Sequence, residues 1–304
     1  MAKAGLLFVG TDDGVVLFSN PNNIGRWLRI GHELRGHAID AIWPMADNPL
    51  VLYAAGVGMP LQRSDDGGQS WRPALEAEAA IVTGSHSAPG TLYLGATDGQ
   101  VYRSDDAGAS WAACLQEPQS TAGVAGLIVA PADARRLYVG LANGDVWTSP
   151  DGGATWAPFG SRLPAAAEGL AAVATGTSAL YATAAGALYR CAEPEGRWGP
   201  VAAAPSAGGP LASLSGKVPV LLLGQSVSGI ARSDDNGATW TAVGEEVDWG
   251  GRVSAIAPAS YHIDSAFAGS VGGTLAASSD RGRTWQLLKQ QLPATRSIAA
   301  ARLA

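Results

Sequence analysis

An eight-residue pattern, Ser-x-Asp-x-Gly-x-[Ser/Thr]-Trp, occurs five times in this 304-residue chain, at Ser64–Trp71, Ser104–Trp111, Ser149–Trp156, Ser233–Trp240 and Ser278–Trp285. Self-similarity at a period of about 40 to 45 residues restricts a chain to arrays in which each unit completes its core against the next. The pattern also reads as a hairpin in its own right. Its third-position aspartates, Asp66, Asp106, Asp151, Asp235 and Asp280, can accept hydrogen bonds from the backbone two residues on, and the glycine two positions later supplies a positive φ. The hydroxyl residue opens the returning strand. The closing tryptophan, Trp71, Trp111, Trp156, Trp240 or Trp285, lays its ring over the turn while its N–H seeks a partner.

Gly25-Arg26-Trp27 and Gly196-Arg197-Trp198 keep only the end of the pattern and bring the marked units to seven. The seven tryptophans, at 27, 71, 111, 156, 198, 240 and 285, recur every 40 to 45 residues and divide the chain with little left over. A Leu-Tyr-x-Gly-like strand precedes each of them, as in Leu52-Tyr53-Ala54-Ala55, Leu92-Tyr93-Leu94-Gly95 and Leu137-Tyr138-Val139-Gly140. Asp98-Gly99 or Asn143-Gly144 then turns the chain into a third strand such as Val101-Tyr102-Arg103. With an apolar strand ahead of these, such as Ala38–Trp43, Ala125–Ala130 or Val253–Ala257, each unit has four antiparallel strands, A to D. Four strands per unit make a propeller blade, so the fold class is all-β, a seven-bladed β-propeller. The chain opens on a strand B, Leu6–Gly10, and after its last strand D adds residues 296–304, which read as an orphan strand A. Pairing this C-terminal strand with the N-terminal blade closes the ring and removes the exposed edges that an open sheet must protect. No linker or composition break interrupts the repeats, so residues 1–304 read as one domain.

These repeats resemble Asp-boxes, the signature of the BNR repeat family of β-propellers in the sialidase-like superfamily. The resemblance covers nearly the whole chain and is specific for fold, whereas function lives in sites grafted on folds. Sialidases are similar in the boxes alone: they are six-bladed, carry a Phe-Arg-Ile-Pro-like motif near the start and bind carboxylate with three arginines, and this sequence has no such motif. Xyloglucan-degrading hydrolases use a cleft between two Asp-box propellers, and here there is one. In size and blade number the chain looks most like the Ycf48-like and HCF136-like photosystem II assembly factors, which are single seven-bladed scaffolds. It departs from them in its acidity and in lacking a leader and an arginine-rich face, so photosynthesis does not carry over.

A net charge of −6 and the absence of any basic run argue against nucleic acid as a partner. No apolar stretch is long enough to span a bilayer, and the first residues lack a signal peptide's apolar core, so the chain as given reads as cytoplasmic, or as secreted if a leader was removed. Cys114 and Cys191 fall in units three and five and read as packing thiols. His32, His37, His86 and His262 lack metal-ligand spacing, although His37 and His86 could approach each other near the channel. No cofactor or metal is implied.

The box aspartates invite a catalytic reading, but a device repeated in every blade, on the outer rim of one face, is structural; its copies lie too far apart for two carboxyls to flank one sugar bond. Arg63, Arg103, Arg190 and Arg232 occupy matching places at the ends of strands C, where solvated or aspartate-paired side chains are expected. Function is expected on the opposite face, formed by B–C turns too short to build much and by richer D–A loops. Residues 31–40 carry His32, Glu33, Arg35, His37 and Asp40, and residues 244–252 carry Glu245, Glu246, Asp248, Trp249 and Arg252. Gln116, Glu117 and Gln119, then Arg162 and Glu168, then Lys289, Gln290, Gln291 and Arg296 add further polar groups. Two classes of function follow. The favoured one is a non-catalytic scaffold that binds a protein partner through the D–A face. The other is a carbohydrate-binding protein or glycoside hydrolase, with Trp249 as a stacking surface and Glu245, Glu246, Asp248 and Asp40 as acid, base or hydroxyl-binding groups.

Overall fold

The computed structural model describes residues 4–21, 26–115, 122–175, 177–192 and 196–303. Its strands form seven four-stranded antiparallel groups. The first combines Thr295–Arg302 as strand A with Gly5–Thr11, Gly14–Asn20 and Leu28–Glu33 as B, C and D. Leu6 to Gly10 pair with Ala301 to Ser297, so the C-terminal strand closes the ring on the N-terminal blade. Blades 2 and 3 share one 14-residue strand, Arg72–Ser85. Its first half pairs with Pro60–Ser64 as strand D of blade 2, and its second half pairs with Ala88–Ala96 as strand A of blade 3. Blades 4 to 7 begin with Val124–Ala130, Gly169–Thr175, Ala207–Leu214 and Val253–Pro258 and are four separate sheets.

The four landmark residues of strand B are buried in every blade. In Gly5–Thr11, Leu52–Ala55 and Ala266–Ser270 every residue is buried, as expected for a strand with a packed blade on either side. The hydrophobic clusters run between blades: one joins Tyr53 of blade 2 to Leu92 and Leu94 of blade 3, another joins Tyr181 of blade 5 to Leu221 and Leu223 of blade 6.

The five boxes share one geometry. In the first, Ser64 Oγ donates to Asp66 Oδ1 at 2.8 Å while accepting the Gly68 N–H at 2.8 Å. The Ser70 N–H donates to Asp66 Oδ1 at 2.9 Å and its hydroxyl to Oδ2 at 2.6 Å. The aspartate therefore caps the backbone three and four residues on, through Gln69 and Ser70, where the sequence suggests a contact two residues on. Trp71 Nε1 closes the turn on the Gly68 carbonyl at 2.9 Å, as Trp156 and Trp240 do on Gly153 and Gly237, whereas the Trp111 and Trp285 indoles find no such partner among the described residues. With these donors, the Ser70 hydroxyl foremost, Asp66 is held down to about 2, and Asp106 behaves likewise through Ser110.

A further device joins neighbouring blades. The residue after each box aspartate has positive φ, 55° at Ala107, 77° at Gly152, 58° at Asn236 and 64° at Arg281, which turns its carbonyl toward the preceding blade. Tyr53 Oη and Arg63 of blade 2 donate to the Ala107 carbonyl of blade 3 at 2.6 and 3.1 Å. Tyr93 and Arg103 of blade 3 donate to Gly152 of blade 4, Tyr181 of blade 5 to Asn236 of blade 6, and Arg232 of blade 6 to Arg281 of blade 7. Arg63, Arg103 and Arg232 are also paired with the first aspartates of their own boxes, Asp65, Asp105 and Asp234. Arg63, Arg103 and Arg232 thus tie blades together, while Arg190 lies over the Tyr181 ring of its own blade.

Candidate functional site

Antiparallel pairing places the B–C turns and D–A connections at one end of the ring, and the A–B turns and boxes at the other. At the first end, residues 31–40 link blade 1 to blade 2, and residues 244–252 link blade 6 to blade 7, with the connection from blade 7 to the closing strand between them.

In the first connection His32 is spent on structure: its Nε2 contacts the Asp13 carbonyl and its Nδ1 accepts a hydrogen bond from Arg29 at 2.8 Å. The Asp13 carboxylate receives the Gly36 N–H at 2.8 Å, and the Gly14 N–H donates to the His37 carbonyl at 2.7 Å, so the connection folds onto the B–C turn of blade 1. The Arg35 and His37 side chains are exposed. Asp40 meets Arg296 of the closing strand at 2.7 Å, and the same guanidinium reaches Asp12 at 2.8 Å. These two carboxylates share one cation and raise the Arg296 pKa, chiefly through the Asp12 hydrogen bond. His37 and His86 do not approach each other: His37 is in a D–A connection, whereas His86 is in the A–B turn of blade 3 at the other end.

The second connection corrects the stacking-surface reading. Trp249 is only 3% exposed; its Nε1 donates to the Gly244 carbonyl at 2.9 Å and its ring lies edge-on to Trp285, 6.1 Å between centroids. An apolar ring in a polar loop has here been taken inward to fasten the loop, as burial of so large a surface favours. Glu246 is held too, accepting the Trp285 N–H at 2.5 Å. Asp248 accepts the Gly250 N–H at 3.0 Å, and Arg252 donates to the Gly208 carbonyl at 2.7 Å. Glu245 is exposed. Nothing in the described contacts joins this connection to residues 31–40. Among the other polar candidates, Arg162 pairs with Asp145 at 2.7 Å, while Gln116, Glu117 and Gln119 lie outside the described residues, as does Gly25 of the first Gly-Arg-Trp mark.

The B–C turns contribute what the sequence reading passed over. Val57, Val227 and Val271, in the turns of blades 2, 6 and 7, are 66%, 81% and 39% exposed. Two of them are held by the flanking connections: the Val57 N–H donates to Asp40 Oδ2 at 3.2 Å, and the Val271 N–H to the Arg252 carbonyl at 3.0 Å. Turn tips normally carry Gly, Asn, Asp or Ser, so Gly56-Val57-Gly58 and Ser226-Val227-Ser228 were the available signals. This end therefore presents valine tips on either side of the Asp12–Arg296–Asp40 ion pairs.

At the other end a cavity of about 780 Å³ lies among the seven strands A and opens toward the A–B turns. Among the described residues its lining contains no Asp, Glu, Lys or Arg. None gathers three metal-ligating side chains, and no helix is long and apolar enough to cross a membrane.

Residues 62–73, which hold the first box, match the BNR/Asp-box repeat family. No curated protein matches the sequence significantly. Among solved structures, the fold is similar to YCF48 bound to a D1 peptide, at 16% identity and a TM-score of 0.62 over 83% of this chain and 82% of that one. YCF48 from Cyanidioschyzon merolae is similar at 15% identity and a TM-score of 0.59, over 82% and 84% of the two chains. The GH74 xyloglucanase from Xanthomonas campestris is similar at 19% identity and a TM-score of 0.64 over 94% of this chain, which spans about half, 52%, of that enzyme. With five boxes of one geometry set in a closed ring of four-stranded blades, the chain is a β-propeller of the BNR/Asp-box repeat type.

Proposed function

We propose that this propeller is a non-catalytic interaction module that binds a protein partner on the face formed by its B–C turns and D–A connections. The observation that carries the reading is the set of exposed valines at 57, 227 and 271, two of them pinned by Asp40 and Arg252. Apolar tips on rigid hairpins, beside charged groups, have the make-up of a protein interface with a dry centre and a polar surround. A similar propeller has been captured with a D1 peptide, which supports a peptide or protein as the class of partner. Glycan hydrolysis has weaker support: Trp249 is withdrawn into the core, Glu246 is bound to a backbone N–H, and Asp12 and Asp40 are both engaged by Arg296.

The test is quantitative affinity capture from host lysate with the wild type and with Val57→Asp/Val271→Asp, at surface positions where an unchanged thermal midpoint is expected. A stoichiometric protein retained by the wild type and lost with the variant is the expected result. Equal recovery with both proteins moves the interface elsewhere, and no recovery with either removes the reading.

A further inference from the structure

The cavity among the strands A has a shape that repetition alone does not explain. One register position recurs in every blade, the strand-A residue directly opposite the second residue of the Leu-Tyr landmark. In blades 2, 3 and 4 it is Trp43, Thr83 and Ile128. In blades 5, 6, 7 and 1 it is alanine at 171, 212, 257 and 299. All seven line the cavity. In a ring of seven, blade 2 stands across from blades 5 and 6, so the single indole faces a wall reduced to methyl groups.

The indole is also seated with care. Gly84 of blade 3 lies against it: a Cβ there would come within 3.0 Å of Trp43 Nε1 and 3.0 Å of the Thr91 carbonyl. The next A–B turn brings His86 onto Trp43, with ring centroids 5.1 Å apart and planes tilted by 56°. His86 is an exposed residue that lines the cavity, and the partial desolvation of its ring pulls its pKa below the usual histidine value, so the ring is neutral at pH 7. Tyr261, on the far rim, is pushed up by burial against a smaller opposing effect of Arg302, and it too is neutral.

We propose that this cavity is a binding site for an uncharged aromatic small molecule, held against the Trp43–His86 pair and received by the alanine wall of blades 5 to 7. The volume of about 780 Å³ is in the range of small-molecule sites, which are mostly apolar with a few polar groups. An ionised ligand would lose its hydration with no countercharge in the described lining. A sugar would find some hydroxyl partners, in Thr83, Ser213 and Ser215, but would also set hydroxyls against Ile128, Leu170 and Ile256, which offer no hydrogen bond. The site is at the end opposite the valine tips, so either reading can fail without the other.

The probe is 5-fluoroindole, titrated against the whole protein and followed by 19F NMR, with indole-3-acetate and methyl β-D-glucoside as comparisons. The expected result is one saturable site with a Kd below about 1 mM, weakened about tenfold by Trp43→Ala and weakened also by His86→Ala. His86 is at the mouth, so its variant keeps the test open if loss of the indole disturbs folding. The acetate should bind at least tenfold more weakly, and probe-induced shifts should appear at the labelled methyls of Ala171 and Ala212. No saturable binding, binding indifferent to both variants, or glucoside binding as tight as that of the fluoroindole would each overturn the proposal.

Discussion

At the scale of single residues, the position after each box aspartate shows how one backbone angle serves the whole ring. Gly67 and Gly152 occupy it at no steric cost, whereas Ala107 holds a φ of 55° and carries the carbonyl that receives Tyr53 and Arg63. A left-handed conformation costs an L-residue roughly 1 to 2 kcal/mol, partly offset by the freedom glycine loses on folding. Ala107→Gly should therefore stabilise the protein by about 0.5 to 1 kcal/mol, measured by urea unfolding. A destabilised variant would show that the Ala107 methyl packs more usefully than its backbone is strained. Trp249 shows where residue-level reading stops. A tryptophan in a run of acidic residues has the same sequence signature whether it faces a ligand or fastens its loop, and Trp285, which decides the matter, is 36 positions away.

At the scale of the element, the box is an electrostatic clamp with a definite pH signature. Asp66, Asp106, Asp151 and Asp235 are held at about 2, through the side-chain hydroxyls of Ser70, Ser110, Thr155 and Thr239 first of all. In an unfolded chain an aspartate titrates near 3.9. Between these values the unfolded state binds more protons, so the stability these carboxylates contribute is complete above about pH 4 and is lost as pH falls toward 2. Thermal midpoints should fall across that window, and Asp106→Asn should flatten the fall by its own share; an unaltered slope would mean that the boxes do not set acid stability. The box was legible as a hairpin because Asp, Gly and Trp each have a local task. The valine tips were not, because their exposure depends on which face of the ring a turn reaches. Nor was the shared strand of residues 72–85, since Glu76 to Ala80 look like a D–A loop until pairing on both sides draws them straight.

At the scale of the molecule, the ring depends on Thr295–Arg302, which supplies strand A of blade 1, buries Ala299 to Ala301 and brings Arg296 to Asp12 and Asp40. Removing residues 296–304 opens the sheet edge of Gly5–Thr11 and deletes most of its pairing on that side. A loss on the order of 5 kcal/mol is expected from the hydrogen bonds and burial together, or roughly 10 °C in the thermal midpoint. An unchanged midpoint would show that blade 1 holds its place without the clasp. Closure was readable from the sequence because a missing strand A at one end and a spare one at the other leave a single way to complete seven blades. The cavity was not, because alanines at one register position suggest close packing until the ring sets them across from Trp43.

Among the described residues the carbonyl links between blades run in one direction, and two junctions lack the side chains that make them. They join blade 2 to 3 to 4 and blade 5 to 6 to 7. At those two junctions, on either side of blade 1, the paired positions hold Phe267 opposite Ala277 and Phe8 opposite Leu17. Blade 1 and its clasp are thus the keystone of the ring, with a seam on either side. Breathing, proteolytic nicking and exchange of buried amides should all begin at those seams. The widest relative motion would then be that of blade 1 against its neighbours, one of which, blade 2, carries Trp43.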